Sequence, residues 1–149
     1  MRYLWCMVIM SCAGCAAAPE MPLYLEDRVF VWGEIQTDQN LPLDQWDWSA
    51  VDAVLAQYDQ PVSVAIWPYA LWDQVSCHAT WSSVVTVYGP HFQAPYPPCD
   101  TAAYHTWLKA AQDRYSDQVT EWRIIDDYTQ QEPPYANFIG SDEDYQAIL

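Results

Sequence analysis

The stretch Val119-Thr120-Glu121-Trp122-Arg123-Ile124-Ile125-Asp126-Asp127 decides how the rest of the chain is read. Val119–Ile125 is too short for a helix and rich in β-branched residues, so it predicts a strand. Two adjacent acids close it. A carboxylate beside an apolar interior is costly unless it is hydrogen-bonded or has a task. In parallel α/β barrels, the C-terminal strand end is where catalytic groups sit. An aromatic loop follows, and then Ser141-Asp142-Glu143-Asp144 opens a helix with capping-box spacing from Ser141 to Asp144. Tyr145, Ile148 and Leu149 begin its apolar face.

Working upstream, Asp100 predicts an N-cap for a helix carrying Tyr104, Trp107, Leu108, Ala111 and Tyr115 on one face. Arg28–Trp32 (RVFVW) and Val62–Trp67 (VSVAIW) are uninterrupted apolar runs, read as strands buried on both faces. Between them, Ser49 to Asp52 has capping-box spacing, and Val51, Val54, Leu55 and Tyr58 recur at helical intervals before Gln60-Pro61. Pro68 to Asp100 is a long excursion with a small strand expected at Val84–Tyr88. Loops of that length inside a domain are functional or disordered. The order β-α-β-loop-α-β-α predicts an α/β fold with a parallel sheet and right-handed crossovers. A barrel closes with eight strands, and three are evident here. The expectation is a partial TIM (β/α)8 barrel, truncated after about its fourth strand, with the chain stopping inside a helix at Leu149.

The chain has 149 residues, enough for one domain, and its 52% apolar content suffices for a packed core. Its first residues are set aside before any fold argument. Met1-Arg2 is a minimal positive start, Tyr3–Met10 is apolar, and Ser11-Cys12-Ala13-Gly14-Cys15 is small and ends in cysteine. That is shorter than the roughly 20 residues of a membrane span and reads as an export signal. Ala13-Gly14-Cys15 resembles a bacterial lipobox, which implies lipidation of Cys15 and anchoring to the cell envelope; Cys12 is the alternative site, and an ordinary secretory signal the plainer reading. Residues 16–27 read as a tether and 28–149 as the folded domain. Export implies an oxidising compartment, in which Cys77 and Cys99 are the pair left for a disulfide. No metal or other cofactor is expected, since there is no Cys-x-x-Cys and the Cys77-His78 pair has no close second pair. Five basic residues against 20 acids give a net charge of −15, which repels nucleic acid and anionic polysaccharide and is compatible with a neutral ligand.

Four segments in order resemble the clan A glycoside hydrolases, retaining (β/α)8 enzymes. Trp122-Arg123-Ile124-Ile125-Asp126-Asp127-Tyr128 stands where that clan has Trp-Glu, two apolar residues and Asn-Glu-Pro, and Phe138-Ile139-Gly140-Ser141-Asp142-Glu143-Asp144-Tyr145 follows as in the clan. Val31-Trp32-Gly33-Glu34-Ile35-Gln36 with Trp46–Asp52 resembles the second-strand segment. Ile66-Trp67-Pro68-Tyr69 with Trp72-Asp73-Gln74 resembles the third. Tyr104, Trp107 and Leu108 with Arg114-Tyr115 resemble the helix before the catalytic strand. The resemblance implies hydrolysis of a neutral β-linked glycan by double displacement, which needs two carboxyl groups roughly 5–5.5 Å apart.

On that frame Asp127 takes the acid/base position with a side chain one methylene short, and the plain alternative is a loop acid bonded to backbone amides. Asp126 takes the position that hydrogen-bonds the sugar 2-hydroxyl, where aspartate can accept but not donate. Adjacent strand residues normally point to opposite sides, which argues against a shared-proton pair. Tyr128 replaces the proline. Trp32, Trp67 and Trp72 are candidate sugar platforms, because indole faces pack on apolar sugar C–H faces; core packing is the alternative for each ring, and the expected one for Trp122. Glu34 is expected at the rim or paired with Arg123. His78 and His91 are loop groups, either bonded to sugar hydroxyls or solvated. The clan's nucleophile is a glutamate ending a seventh strand, so these residues carry one carboxyl of the pair and are expected to be inactive alone. The second functional class is a non-catalytic glycan-binding surface lipoprotein, and the third a gene fragment with no function of its own.

Overall fold

The computed structural model describes residues 22–78, 85–86, 89–93, 96–125 and 138–149. Cys15, Asp126, Asp127 and Tyr128 lie outside them. Three parallel strands form the main sheet: β1 (Leu23–Val31), β2 (Val62–Trp67) and β5 (Val119–Ile124), in the spatial order β1-β2-β5. Val31 sits beside Trp67, and Ile66 beside Ile124, so the C-terminal ends line up along one edge. Every residue of β2 is buried, as its uninterrupted apolar run predicts for a central strand.

Strand β1 begins at Leu23, inside the expected tether. Its register jumps between Leu25, beside Val64, and Phe30, beside Ile66. Five residues of β1 therefore span two of β2, and this bulge breaks the alternation by which a strand is recognised in a sequence. Trp32 leaves the strand to open the one-turn helix α1 (Trp32–Ile35).

Helix α2 (Ser49–Leu55) starts one residue earlier than its sequence pattern suggests. Trp48 is its N-cap residue without a side-chain cap, and the Ser49 amide donates to Asp47 Oδ1 at 2.9 Å, so the predicted Ser49–Asp52 capping box does not form. Asp52 turns instead toward α4 (Thr101–Tyr115), accepting from Arg114 Nη2 at 2.9 Å and from the Tyr115 hydroxyl at 2.7 Å. Helices α2 and α4 thus lie side by side on one face, where Phe30 meets Tyr115 edge-on at 5.5 Å. Helix α4 carries the predicted cap, with Asp100 accepting from the Ala103 amide, and buries all five predicted face residues. The short α5 (Asp142–Gln146) has the predicted Ser141–Asp144 capping box. It buries Tyr145 and, just beyond its end, Ile148, whereas Leu149 is 60% exposed. The Tyr145 hydroxyl donates to the Ile124 carbonyl, tying the segment to β5.

The other face of the sheet is more polar. Tyr24, Ser63 and Glu121 share one row, and Ala65 and Arg123 the next. Arg123 bonds Glu121 at 3.1 Å and lies over the Tyr24 ring at 4.7 Å. Among the described residues Arg123 thus pairs with its own strand neighbour two residues away rather than with Glu34. No described helix is long and apolar enough to cross a membrane.

Burial pushes the Tyr104 phenol well above its ordinary value, with Tyr145 adding to the effect. Tyr115 is pushed up by burial and by its bond to Asp52. A phenol that holds its proton more tightly when folded leaves stability unchanged below pH of about 10, and stability then falls as the unfolded chain loses protons first. Base titration followed at 295 nm should therefore show at least two of the 11 tyrosines ionising late, together with the loss of circular dichroism. Simultaneous ionisation of all tyrosines ahead of unfolding would contradict this.

Candidate functional site

The aligned C-terminal strand ends form a rim. Gly33 brings the first two ends together: its amide donates to the Tyr69 carbonyl at 2.7 Å, and a Cβ there would stand 2.6 Å from Ala70 Cα and 3.0 Å from Tyr69 O. Both obstacles are backbone. Gly33→Ala should cost about 1–3 kcal/mol by forcing the β1 and β2 ends apart, read as a lowered melting temperature. An unchanged melting temperature would mean the rim yields freely. At the third end, Ile125 has φ of 52° while its amide donates to Ile66 O at 3.0 Å. A β-branched residue in the left-handed region is strained by roughly 1–3 kcal/mol. This strained turn immediately precedes Asp126 and Asp127.

Three of the candidate rings are described. Trp32 is 0% and Trp67 2% exposed, and both pack in the core. Trp32 packs edge-on against Trp72 at 4.8 Å and Tyr104 at 5.7 Å, and its indole N–H donates to Gln36 Oε1 at 2.9 Å. Trp72 is partly exposed, and its own N–H donates to the Gln36 carbonyl at 2.9 Å. It borders a cavity of about 530 Å3 whose other walls include Gln39, Asn40, Asp73, Ser76 and Asp100. Trp122 packs edge-on against Phe30 at 5.1 Å, as its core reading expects. Glu34 is exposed at the rim.

Part of the long excursion is helical. α3 (Leu71–Cys77) carries the residues that hold the loop's return. Asp73, 2% exposed, accepts from the Cys99 and Asp100 amides at 2.9 Å each. Fully buried Gln74 exchanges two bonds with the Tyr96 backbone, accepting from its amide at 2.8 Å and donating to its carbonyl at 3.3 Å. His78 Nε2 lies 2.9 Å from Pro97 O, and its ring stacks on Tyr96 at 4.6 Å. Cys77 and Cys99 form the expected disulfide. Beyond this clasp, β3 (Val85–Thr86) and β4 (Gly89–Gln93) pair antiparallel, an addition to the single expected strand.

Sequence reasoning had no role for Asp73 and Gln74. Their signal is faint: two polar residues ahead of a cysteine whose partner lies 22 residues on. Cys77, His78 and Cys99 bring their ligand atoms within 4.8 Å of one another. With the sulfurs bonded together neither is a thiolate, the form that binds metal. Compared with known proteins, the chain matches no family model, no curated protein and no solved structure.

Proposed function

We propose that this chain is part of an exported, lipid-anchored (β/α)8 barrel of the clan A glycoside hydrolase kind, supplying a portion of the rim for a neutral, β-linked glycan. One observation carries the reading. The three strands of the main sheet are parallel and neighbours in order, with α2 of the first crossover and α4 of the second on one face. A barrel repeats that arrangement, whereas a doubly wound sheet puts helices on both faces. The Trp72 cavity gives such a rim a ring face beside amide and carboxylate groups, the pairing that sugars use. Asp127, two residues after the strained Ile125, is the residue for the acid/base role, and Cys15 the residue for the lipid.

Retaining hydrolysis needs a second carboxyl as nucleophile, which the resemblance assigns to a later strand. The full 149-residue chain is therefore expected to bind without turnover. Calorimetry against cellohexaose, mannohexaose and laminarihexaose should show saturable binding of at least one, with no reducing ends released over days. Release of reducing sugar would overturn the division of the carboxyl pair. No binding to any neutral glycan would overturn the whole reading.

A second reading, a non-catalytic glycan-binding lipoprotein, is favoured by the sheet face opposite the helices. The interior layers of barrels are dominated by Val, Ile and Leu, whereas that face carries the half-exposed Glu121–Arg123 pair. Binding would be common to both readings. Turnover by a longer chain bearing a strand-end glutamate would belong to the first alone.

A further inference from the structure

On the helix-bearing side of the sheet, a groove of about 450 Å3 lies between the β1–α2 connection and α4, sharing no lining residue with the Trp72 cavity. We propose that this groove is a second site for a neutral sugar ring, an inference that rests on the glycan reading of the chain. Trp46 and Trp48 form its corner, with centroids 6.2 Å apart and planes at 47°. Trp46 is half-buried, and its N–H is committed to the Leu41 carbonyl at 3.0 Å, so the ring is a fixed apolar plate rather than a polar donor. Opposite stand Arg114 and Asp113 of α4, with Asp52 of α2.

The chemistry of these walls selects the ligand class. Asp44, Asp52 and Asp113 outnumber the two cations at these walls, Arg114 and the Lys109 that pairs with Asp113 at 2.9 Å, and the excess acid repels an anion. An organic cation is disfavoured too, because the Arg114 guanidinium already lies over the Trp48 ring at 5.7 Å. Hydroxyl groups both donate and accept, and they match a wall that offers guanidinium donors and carboxylate acceptors together. The Arg114–Asp52 bond at 2.9 Å and the Tyr115–Asp52 bond at 2.7 Å hold two of those groups in place before any ligand arrives. Ordering them costs little on binding. The volume lies within the roughly 300–1,000 Å3 of small-molecule sites.

The test is an NMR titration of the full chain, 15N-labelled at the indoles, with cellohexaose, mannohexaose and laminarihexaose, and separately with choline chloride. The Trp46 and Trp48 Nε1–H signals should shift saturably with at least one hexaose. Trp46→Ala should weaken that binding about tenfold. Asp113→Asn, at an exposed position where folding is not at risk, should weaken it about threefold. Shifts confined to Trp72 would remove this site and leave the glycan reading intact. Shifts of Trp46 with choline but with no hexaose would overturn the sugar assignment. Silence of every indole with every hexaose would end both.

Discussion

Asp73→Ala is expected to destabilise the fold by about 4 kcal/mol, roughly 2 kcal/mol for each backbone amide left without its carboxylate. The carboxylate is 2% exposed and holds both the Cys99 and Asp100 amides at 2.9 Å, with the Gln74 side-chain amide at 3.3 Å. Alanine removes the acceptor without removing the need for one, which is the expensive direction. For a chain of this length the loss corresponds to a fall of about 12 °C in melting temperature. Asp73→Asn keeps one acceptor oxygen but turns a donor toward the second amide, so an intermediate loss is expected. A second readout isolates the clasp. Cys77 is already exposed, and dithiothreitol should reduce the disulfide faster once the Cys99 side is loosened. The idea fails if Asp73→Ala melts within 2 °C of the wild type, roughly half a kcal/mol, and is reduced at the same rate.

The same residue shows where sequence reading runs out. Apolar runs such as Val62–Trp67 are legible because a strand buried on both faces needs an unbroken series of apolar side chains. Helix α4 is legible because 15 residues give its face four turns in which to repeat, and Asp100 marks its start. Helix α3 carries no legible apolar face, because its Leu71 and Val75 are exposed while the polar Asp73 and Gln74 are buried. Its order comes from hydrogen bonds of Asp73 and Gln74 to residues more than 20 positions away, which no local pattern encodes. The start of β1 is hidden by its bulge. Ser49 is misread for a related reason: a capping pattern assumes that Asp52 looks back along its own helix, whereas Arg114 and Tyr115 draw it across to α4. Of the candidate site, the rings at strand ends are visible in the sequence, but which of them keeps a face to solvent is decided by tertiary packing. Trp32 and Trp67 are covered and Trp72 is not.

Trp32→Ala should cost about 4–5 kcal/mol and should also disturb the rim. The ring is 0% exposed, so its loss leaves a cavity among large neighbours that cannot all collapse into it. It also orphans Gln36 Oε1, on a residue that is itself 5% exposed. Trp32→Phe separates the two contributions. The smaller ring keeps most of the packing, and the missing N–H costs about 1–2 kcal/mol through the unsatisfied amide oxygen. Gln36 then links the core to the site. Its side chain is held by Trp32, and its backbone carbonyl holds the Trp72 indole at 2.9 Å. Trp72 also rests edge-on against Trp32 at 4.8 Å. Trp32→Phe should therefore shift the Trp72 indole signal of the folded protein and leave those of Trp46 and Trp48 in place, since the outer groove shares no residue with this chain of contacts. An unmoved Trp72 signal would mean that the rim ring is positioned by α3 alone, and the buried Trp32 would have no bearing on any ligand the rim accepts.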